Sequence, residues 1–172
     1  QFGLNGVLEV KTYAVKINGM IGNGMKIDKS NSKDLMFFND KSSIGLSGTD
    51  CWKLGSISNH STYSIYYELK DEVCNSGFAL FQFITSYQHP DGTKRVHVTT
   101  SQRPLVESVG DMGSICSSFD QEACTVSTAR EAVFTLMNDP TIDVVKKYCD
   151  KVLIDVIKTF SNHQKGHPSS VV

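Results

Sequence analysis

Apolar residues alternate with polar ones over the first part of the chain, then recur at spacings of three and four. The stretch that organises the chain is Gly77 to Gln102, GFALFQFITSYQHPDGTKRVHVTTSQ. Aromatic and β-branched residues crowd Phe78 to Gln88 and continue from Lys94 to Thr100, which predicts two strands. Pro90-Asp91-Gly92 lies between them. Proline presets the first turn position, Asp suits the second and Gly tolerates positive φ at the third. The prediction is a hairpin with a three-residue loop and a bulge at Gly92. With His89 opposite Thr93, Ile84 falls opposite Val98 and Ser86 opposite Val96. Phe78 and Leu80 share that face. The other face carries Phe81, Phe83 and Tyr87 on the first strand, but Arg95, His97 and Thr99 on the second. A strand apolar on both sides is expected to be central in its sheet, with a layer over each face.

The same period-two pattern predicts strands over Gly6 to Thr12, Ala14 to Met20 and Thr62 to Leu69. Gly19, Gly22 and Gly24 read as turn and bulge positions, since the GxxG spacing lacks the helices and basic residues of a nucleic-acid clamp. Lys26 to Lys41 reads as a polar surface excursion pinned by Leu35-Met36-Phe37-Phe38. Trp52 is expected to fill core space with its N–H bonded. Glu68 to Ser76 reads as a polar loop, and Leu105 to Ser118 as a connector.

Beyond it, Ala123, Val126, Arg130, Val133, Phe134 and Met137 mark one helix, with Ser118 and Gln121 placed to form a capping box. Asp139 and Pro140 suit the N-cap and first turn of a second helix, Thr141 to Phe160. Its stripe is Ile142, Val145, Cys149, Val152, Leu153, Val156 and Phe160, and Gly166-His167-Pro168 stops it. The short join favours an antiparallel pair whose two stripes exceed what each can cover on the other. The predicted class is mainly β with α: an antiparallel β-sandwich over 1–116, then an antiparallel helix pair over 117–172 that begins an all-helical domain.

Composition changes this picture little. Apolar content of 40% suits a packed core, and a net charge of -1 without cationic clusters argues against nucleic acid as a ligand. No apolar run reaches the ~20 residues of a membrane-spanning helix. Gln1-Phe2 without an initiator methionine reads as part of a longer protein. Cys51, Cys74, Cys116, Cys124 and Cys149 are odd in number and lack CxxC spacing, so reduced thiols are expected rather than a disulfide framework or zinc site. The sequon Asn59-His60-Ser61 would stay bare in a cytosolic chain. Histidines stand at 60, 89, 97, 163 and 167. His163 and His167 have helical metal-ligand spacing but no nearby carboxylate or thiol motif, and read as solvated. A cysteine nucleophile with His97 would need a positioned partner. No phosphate loop, GxSxG or paired-carboxylate signature is present, so no catalytic, cofactor-binding or metal-binding residue is assigned.

Two blocks carry a resemblance: Phe81-Gln82-Phe83-Ile84-Thr85-Ser86-Tyr87-Gln88-His89, continuing to Arg95-Val96-His97-Val98-Thr99-Thr100, and Phe119-Asp120-Gln121-Glu122-Ala123 followed by Ala129-Arg130. With Gly6 to Thr12, Gly19-x-Ile21-Gly22, Gly45-x-x-Gly48-Thr49-x-x-Trp52-Lys53 and Asp139 to Phe160, nearly the whole chain resembles the Sec twenty-three family. That family supplies the GTPase-activating inner-shell subunit of the COPII vesicle coat. The chain departs from it at His97, where arginine is commoner, at Gly166-His167, and through Lys26 to Lys41.

The resemblance implies a non-catalytic structural segment of a Sar-type GTPase activator, cytoplasmic and peripheral on endoplasmic reticulum exit sites and COPII vesicles. The implied partners are the rest of the parent chain, the cargo-binding inner-coat subunit, the Sar-type GTPase, outer-coat subunits and the membrane surface. The family's zinc finger, trunk and arginine-bearing gelsolin-like domain fall outside the matching segment, so no cofactor and no catalytic arginine is implied within it. A far-upstream stretch is implied to add strand to the sandwich. That predicts an open, self-associating edge beside Gly6 to Thr12 or Lys94 to Thr100. The alternatives are the cargo-adaptor paralogue of the same coat, an autonomous membrane-binding β module, and a cysteine hydrolase with an exposed, low-pKa thiol.

Overall fold

The computed structural model describes residues 2–27, 44–70, 77–106, 112–138 and 140–164. The chain divides into two compact units, Gln1–Glu107 and Ser108–Val172. The first holds strands β1 (Phe2–Tyr13), β2 (Val15–Ile21), β3 (Met25–Lys26), β4 (Cys51–Ser58), β5 (Ser64–Leu69), β6 (Phe78–Gln88) and β7 (Lys94–Pro104). One sheet has the order β3-β4-β1-β6-β7 and the other pairs β2 with β5. All pairings are antiparallel.

The chain leaves the first sheet at Ala14, a buried residue with φ of +70° between β1 and β2. Thr12 Oγ1 donates to Val15 O across this corner at 2.9 Å. From there Val15, Ile17 and Met20 point into the core. The step from 17 to 20 breaks strict alternation because the ladder shifts register between Ile17 and Gly19. An extra residue in a bulge reverses the phase of the side chains beyond it. Leu8, Val10, Trp52 and Leu54 of the larger sheet meet Ile17 and Met20 in one cluster. Ala79 and Phe81 meet Ala14 and Val15 in a second. The rings of Tyr67 on β5 and Phe81 meet in an edge-to-face arrangement, centres 4.9 Å apart, so the smaller sheet also covers part of β6. Trp52 is fully buried and its indole N–H donates to Leu46 O at 2.9 Å, as its position in the pattern predicts.

The β6–β7 hairpin has the predicted register. Ile84 pairs with Val98, Ser86 with Val96, and His89 N–H donates to Thr93 O at 2.8 Å. Gly92 takes φ of +85°. No atom lies within 4 Å of a Cβ built there, so a side chain would meet backbone strain alone. Gly92→Val is expected to cost about 1–3 kcal/mol of stability, seen as a lowered midpoint in chemical denaturation. An unchanged midpoint would contradict the left-handed loop position.

Several expectations need correction. β6 is interior as predicted, but among the described residues of the first unit the second sheet lies over only one of its faces. Phe78, Leu80 and Ile84 on the other face are half-buried, while Val96 and Val98 beside them are 65% and 51% exposed. Gly6 to Thr12 is not an edge, because β1 is hydrogen-bonded on one side to β4 and on the other to β6. The other candidate edge stands: β7 ends the sheet among the described residues and runs on to Pro104. The expected excursion Lys26 to Lys41 and loop Glu68 to Ser76 fall largely outside the described residues.

The second unit contains α1 (Met112–Ser118), α2 (Gln121–Asn138) and α3 (Ile142–Gln164). Part of the predicted connector is thus helical. Ser118 is not the cap of α2. It closes α1, and its hydroxyl donates back to Ile115 O at 3.0 Å. Asp120 caps α2 instead, accepting the Ala123 N–H at 2.9 Å. α3 starts at Ile142, with the Val144 N–H bonded to Thr141 O, so Pro140 precedes the first turn. Asp139 lies outside the described residues. A groove lined by Cys124 and Thr128 of α2 and by Val152 and Val156 of α3 places the start of one helix beside the latter half of the other, an antiparallel arrangement. α2 holds no buried residue, and Val133, Met137 and Leu153 are largely exposed. The two apolar stripes do exceed what each helix covers on the other.

Candidate functional site

Among the described residues, titratable side chains converge at the tip of the β6–β7 hairpin. Asp91 Oδ1 accepts the Thr93 N–H at 2.9 Å and the Thr93 hydroxyl at 2.6 Å. Asp91 Oδ2 lies 2.9 Å from both His89 Nδ1 and Arg95 Nη2. The two bonds from Thr93, with smaller help from His89, hold the Asp91 carboxyl well below its ordinary value of 3.8. This cluster is exposed and each contact spans four residues or fewer, so it is a lock on the turn. A depressed folded-state value contributes stability that is present above 3.8 and is lost as pH falls through the folded-state value. The protein should therefore exceed Asp91→Asn in stability at neutral pH by a small margin that closes on acidification. Denaturation midpoints of both proteins across that range check this, and a margin constant with pH would contradict it.

The other candidate residues are scattered. His60 sits in the exposed turn after β4, its N–H bonded to Ser58 Oγ at 3.2 Å. His163 lies in the last turn of α3, and His167 falls outside the described residues. Cys51 is buried, Cys116, Cys124 and Cys149 are half-buried, and Cys74 falls outside. Cys124 and Cys149 both line the groove between α2 and α3. Cys51 pairs with Glu9, which pairs with Ile84, which pairs with Val98, so Cys51 shares the outer face of the sheet. His97 pairs with Thr85 and belongs to the inner face. A thiol–imidazole pair between Cys51 and His97 is therefore blocked by the sheet itself. Among the described residues no three metal-ligating side chains gather.

What the fold does assemble is surface. On the inner face His97, Thr85 and Tyr87 wall a cleft closed by Ile57 and Ser58 at the end of β4. Gly3 stands under this cleft because a Cβ there would fall 2.5 Å from the Tyr87 ring. The β7 edge adds a long exposed strand beside it. The cleft was not legible as a site, because it depends on which strands become neighbours, whereas the β7 edge is one of the two edges expected from the resemblance.

A family model, the Sec23/Sec24 beta-sandwich domain, matches residues 3–106. The chain belongs to the Sec23/Sec24 family. It is a component of the COPII vesicle coat, which works in vesicle transport and assembles from several subunits. The match covers the seven strands and stops before α1, so the Sec23/Sec24 sandwich is the first compact unit. No helix among the described residues is long and apolar enough to cross a membrane.

Proposed function

We propose that this chain is a structural segment of the GTPase-activating subunit of the COPII inner shell, the subunit that acts on a Sar-type GTPase during export from the endoplasmic reticulum. The Phe119 to Ala123 block carries this reading. Asp120 is needed there as the cap of α2. Gln121 and Glu122 are exposed in the first turn, where many residues would serve. Their presence in this order resembles the activating subunit rather than the cargo-adaptor paralogue. The Tyr87 to Gly92 turn supports the same choice.

In this reading the sandwich and helices are non-catalytic scaffold without cofactor. The protein works on the cytosolic face of endoplasmic reticulum exit sites and COPII vesicles, with the cargo-binding subunit, outer-coat subunits and the membrane surface as neighbours. The rate assay uses the full-length protein and a GTP-loaded Sar-type GTPase on liposomes. A supplied arginine finger raises hydrolysis by about 10^3-fold or more. The activating subunit should do so, whereas the cargo adaptor alone would leave hydrolysis at its intrinsic rate and overturn the proposal.

A further inference from the structure

Asparagine precedes glycine at Asn5-Gly6, Asn18-Gly19 and Asn23-Gly24. In such a pair the glycine nitrogen can attack the asparagine Cγ, because glycine has no side chain to block the approach. The attack needs a reachable side chain, an N–H that no ladder holds, and a backbone that can bend. The fold denies these at two of the pairs. Gly6 is buried and pairs with Gly55 in the β1–β4 ladder. Gly19 pairs with Tyr66, the carbonyl of Ile44 lies against it, and the Asn18 side-chain amide donates to Glu68 Oε2 at 3.5 Å. Ring closure at either site requires the sheet to open locally, which costs free energy.

Asn23 is placed differently. It is exposed in the bend between β2 and β3. Just beyond it Met25 pairs with Lys53, and Ile27 N–H donates to Cys51 O at 3.0 Å. Backbone bonds alternate along an antiparallel pair, so Met25 and Ile27 face β4 while Gly24 turns its N–H away. Among the described residues no hydrogen bond holds the Asn23 side chain.

We propose that Asn23-Gly24 is a modification site, where spontaneous deamidation yields an isoaspartate that a repair carboxyl methyltransferase accepts as substrate. The Gly24 nitrogen bonds to Asn23 Cγ and loses its proton, and the side-chain nitrogen leaves as ammonia. Water then opens the cyclic imide. Breaking the bond to Cγ gives aspartate. Breaking the bond to the main-chain carbonyl carbon gives isoaspartate, whose chain runs through the side chain. Both products carry a new carboxylate, but isoaspartate also adds its Cβ to the main chain just before β3. β3 is two residues long and is held by its pairing to β4, with the Thr49 hydroxyl donating to Ile27 O at 2.8 Å beyond it. Lengthening the chain at residue 23 moves these residues out of register, so conversion loosens β3 from β4. This inference is independent of which coat subunit the chain represents.

The test ages the full-length protein in neutral buffer and maps its peptides by mass spectrometry. Asn23 should convert at least about tenfold faster than Asn5 or Asn18, as a local opening cost of about 1.4 kcal/mol at those sites would produce. In urea the three should convert at similar rates. An isoaspartyl methyltransferase with labelled S-adenosylmethionine should place label in the peptide holding residue 23, and Asn23→Gln should abolish it. Amides 25–27 should exchange hydrogen faster in the aged protein. Asn23→Asp, which adds the charge without lengthening the chain, should leave that exchange unchanged. Equal conversion of the three sites in the folded protein, faster conversion at Asn5 or Asn18, or label in that peptide despite Asn23→Gln would overturn the site. Unchanged exchange at 25–27 in the labelled fraction would overturn the loosening of β3.

Discussion

Trp52→Ala is expected to lower the free energy of unfolding by about 3–5 kcal/mol, the range for truncating a large buried aromatic. Trp52 is fully buried and packs in the cluster that joins Leu8, Val10 and Leu54 of one sheet to Ile17 and Met20 of the other. Its N–H also holds the carbonyl of Leu46, so truncation opens a cavity and leaves an acceptor without its donor. Trp52→Phe keeps much of the volume and loses the donor, and should cost about 1–3 kcal/mol. Because Trp52 is the one tryptophan, the variants lose the natural fluorescence probe, and urea denaturation has to be followed by circular dichroism. A loss below about 1 kcal/mol for the alanine variant would contradict Trp52 as the centre of the sandwich.

Gly19→Ala should be nearly as damaging although it adds a single carbon. A Cβ at Gly19 would fall 1.8 Å from Ile44 O and 2.9 Å from its carbonyl carbon. The obstruction is backbone, so no side-chain rotation relieves it. Ile44 N–H donates to Asn18 O and Leu46 N–H to Met20 O, at 3.3 and 2.8 Å, and moving the segment aside breaks these bonds. The same movement withdraws the Leu46 carbonyl from Trp52. Overpacking of this kind costs about 3 kcal/mol. Gly55→Ala is the control: its φ is +68° but no atom lies within 4 Å of a built Cβ, so only conformational strain of about 1 kcal/mol is expected. Equal losses at the two glycines would contradict the close approach of residue 44 to β2.

The contrast between Gly92 and Gly19 shows what the chain discloses in one dimension. Pro90-Asp91-Gly92 specifies its turn through bonds and dihedrals of adjacent residues, so loop type, register and the two faces of β6 and β7 were all legible. The fully buried Trp52 was legible for a similar reason, since an isolated large aromatic among strands has few other fates. Strand neighbours were not legible. β1 has an alternating pattern that suits an edge, yet it lies between β4 and β6 because the chain returns to it twice. The helix cap moved from Ser118 to Asp120 because α1 claims Ser118, and a short helix with glycine in it leaves little periodic signal.

The candidate surfaces follow the same division. The cationic side chains of β7 can be read directly, but that β7 rather than β1 has a neighbour on one side only among the described residues follows from the strand order. The partial exposure of the outer face among the described residues was likewise not predicted, since Phe78, Leu80 and Ile84 read as apolar whether or not a layer covers them. The exposed stripes of α2 and α3 were legible, because two amphipathic helices cannot cover each other's whole apolar face.

The central proposal is that this part of the Sec23/Sec24 protein is scaffold of the activating subunit and that the catalytic arginine is none of Arg95, Arg103 and Arg130. Arg95 is held by Asp91 in the hairpin tip and Arg103 bonds the carbonyl of Gln102. Single-turnover GTP hydrolysis by a Sar-type GTPase tests the claim most directly, with the 172-residue chain added to saturation and with full-length protein carrying alanine at each of the three arginines in turn. The account predicts the intrinsic rate with the chain alone and undiminished acceleration with each full-length variant. Saturable acceleration by the chain, or loss of acceleration on replacing one of these arginines in a protein that still folds, would contradict it.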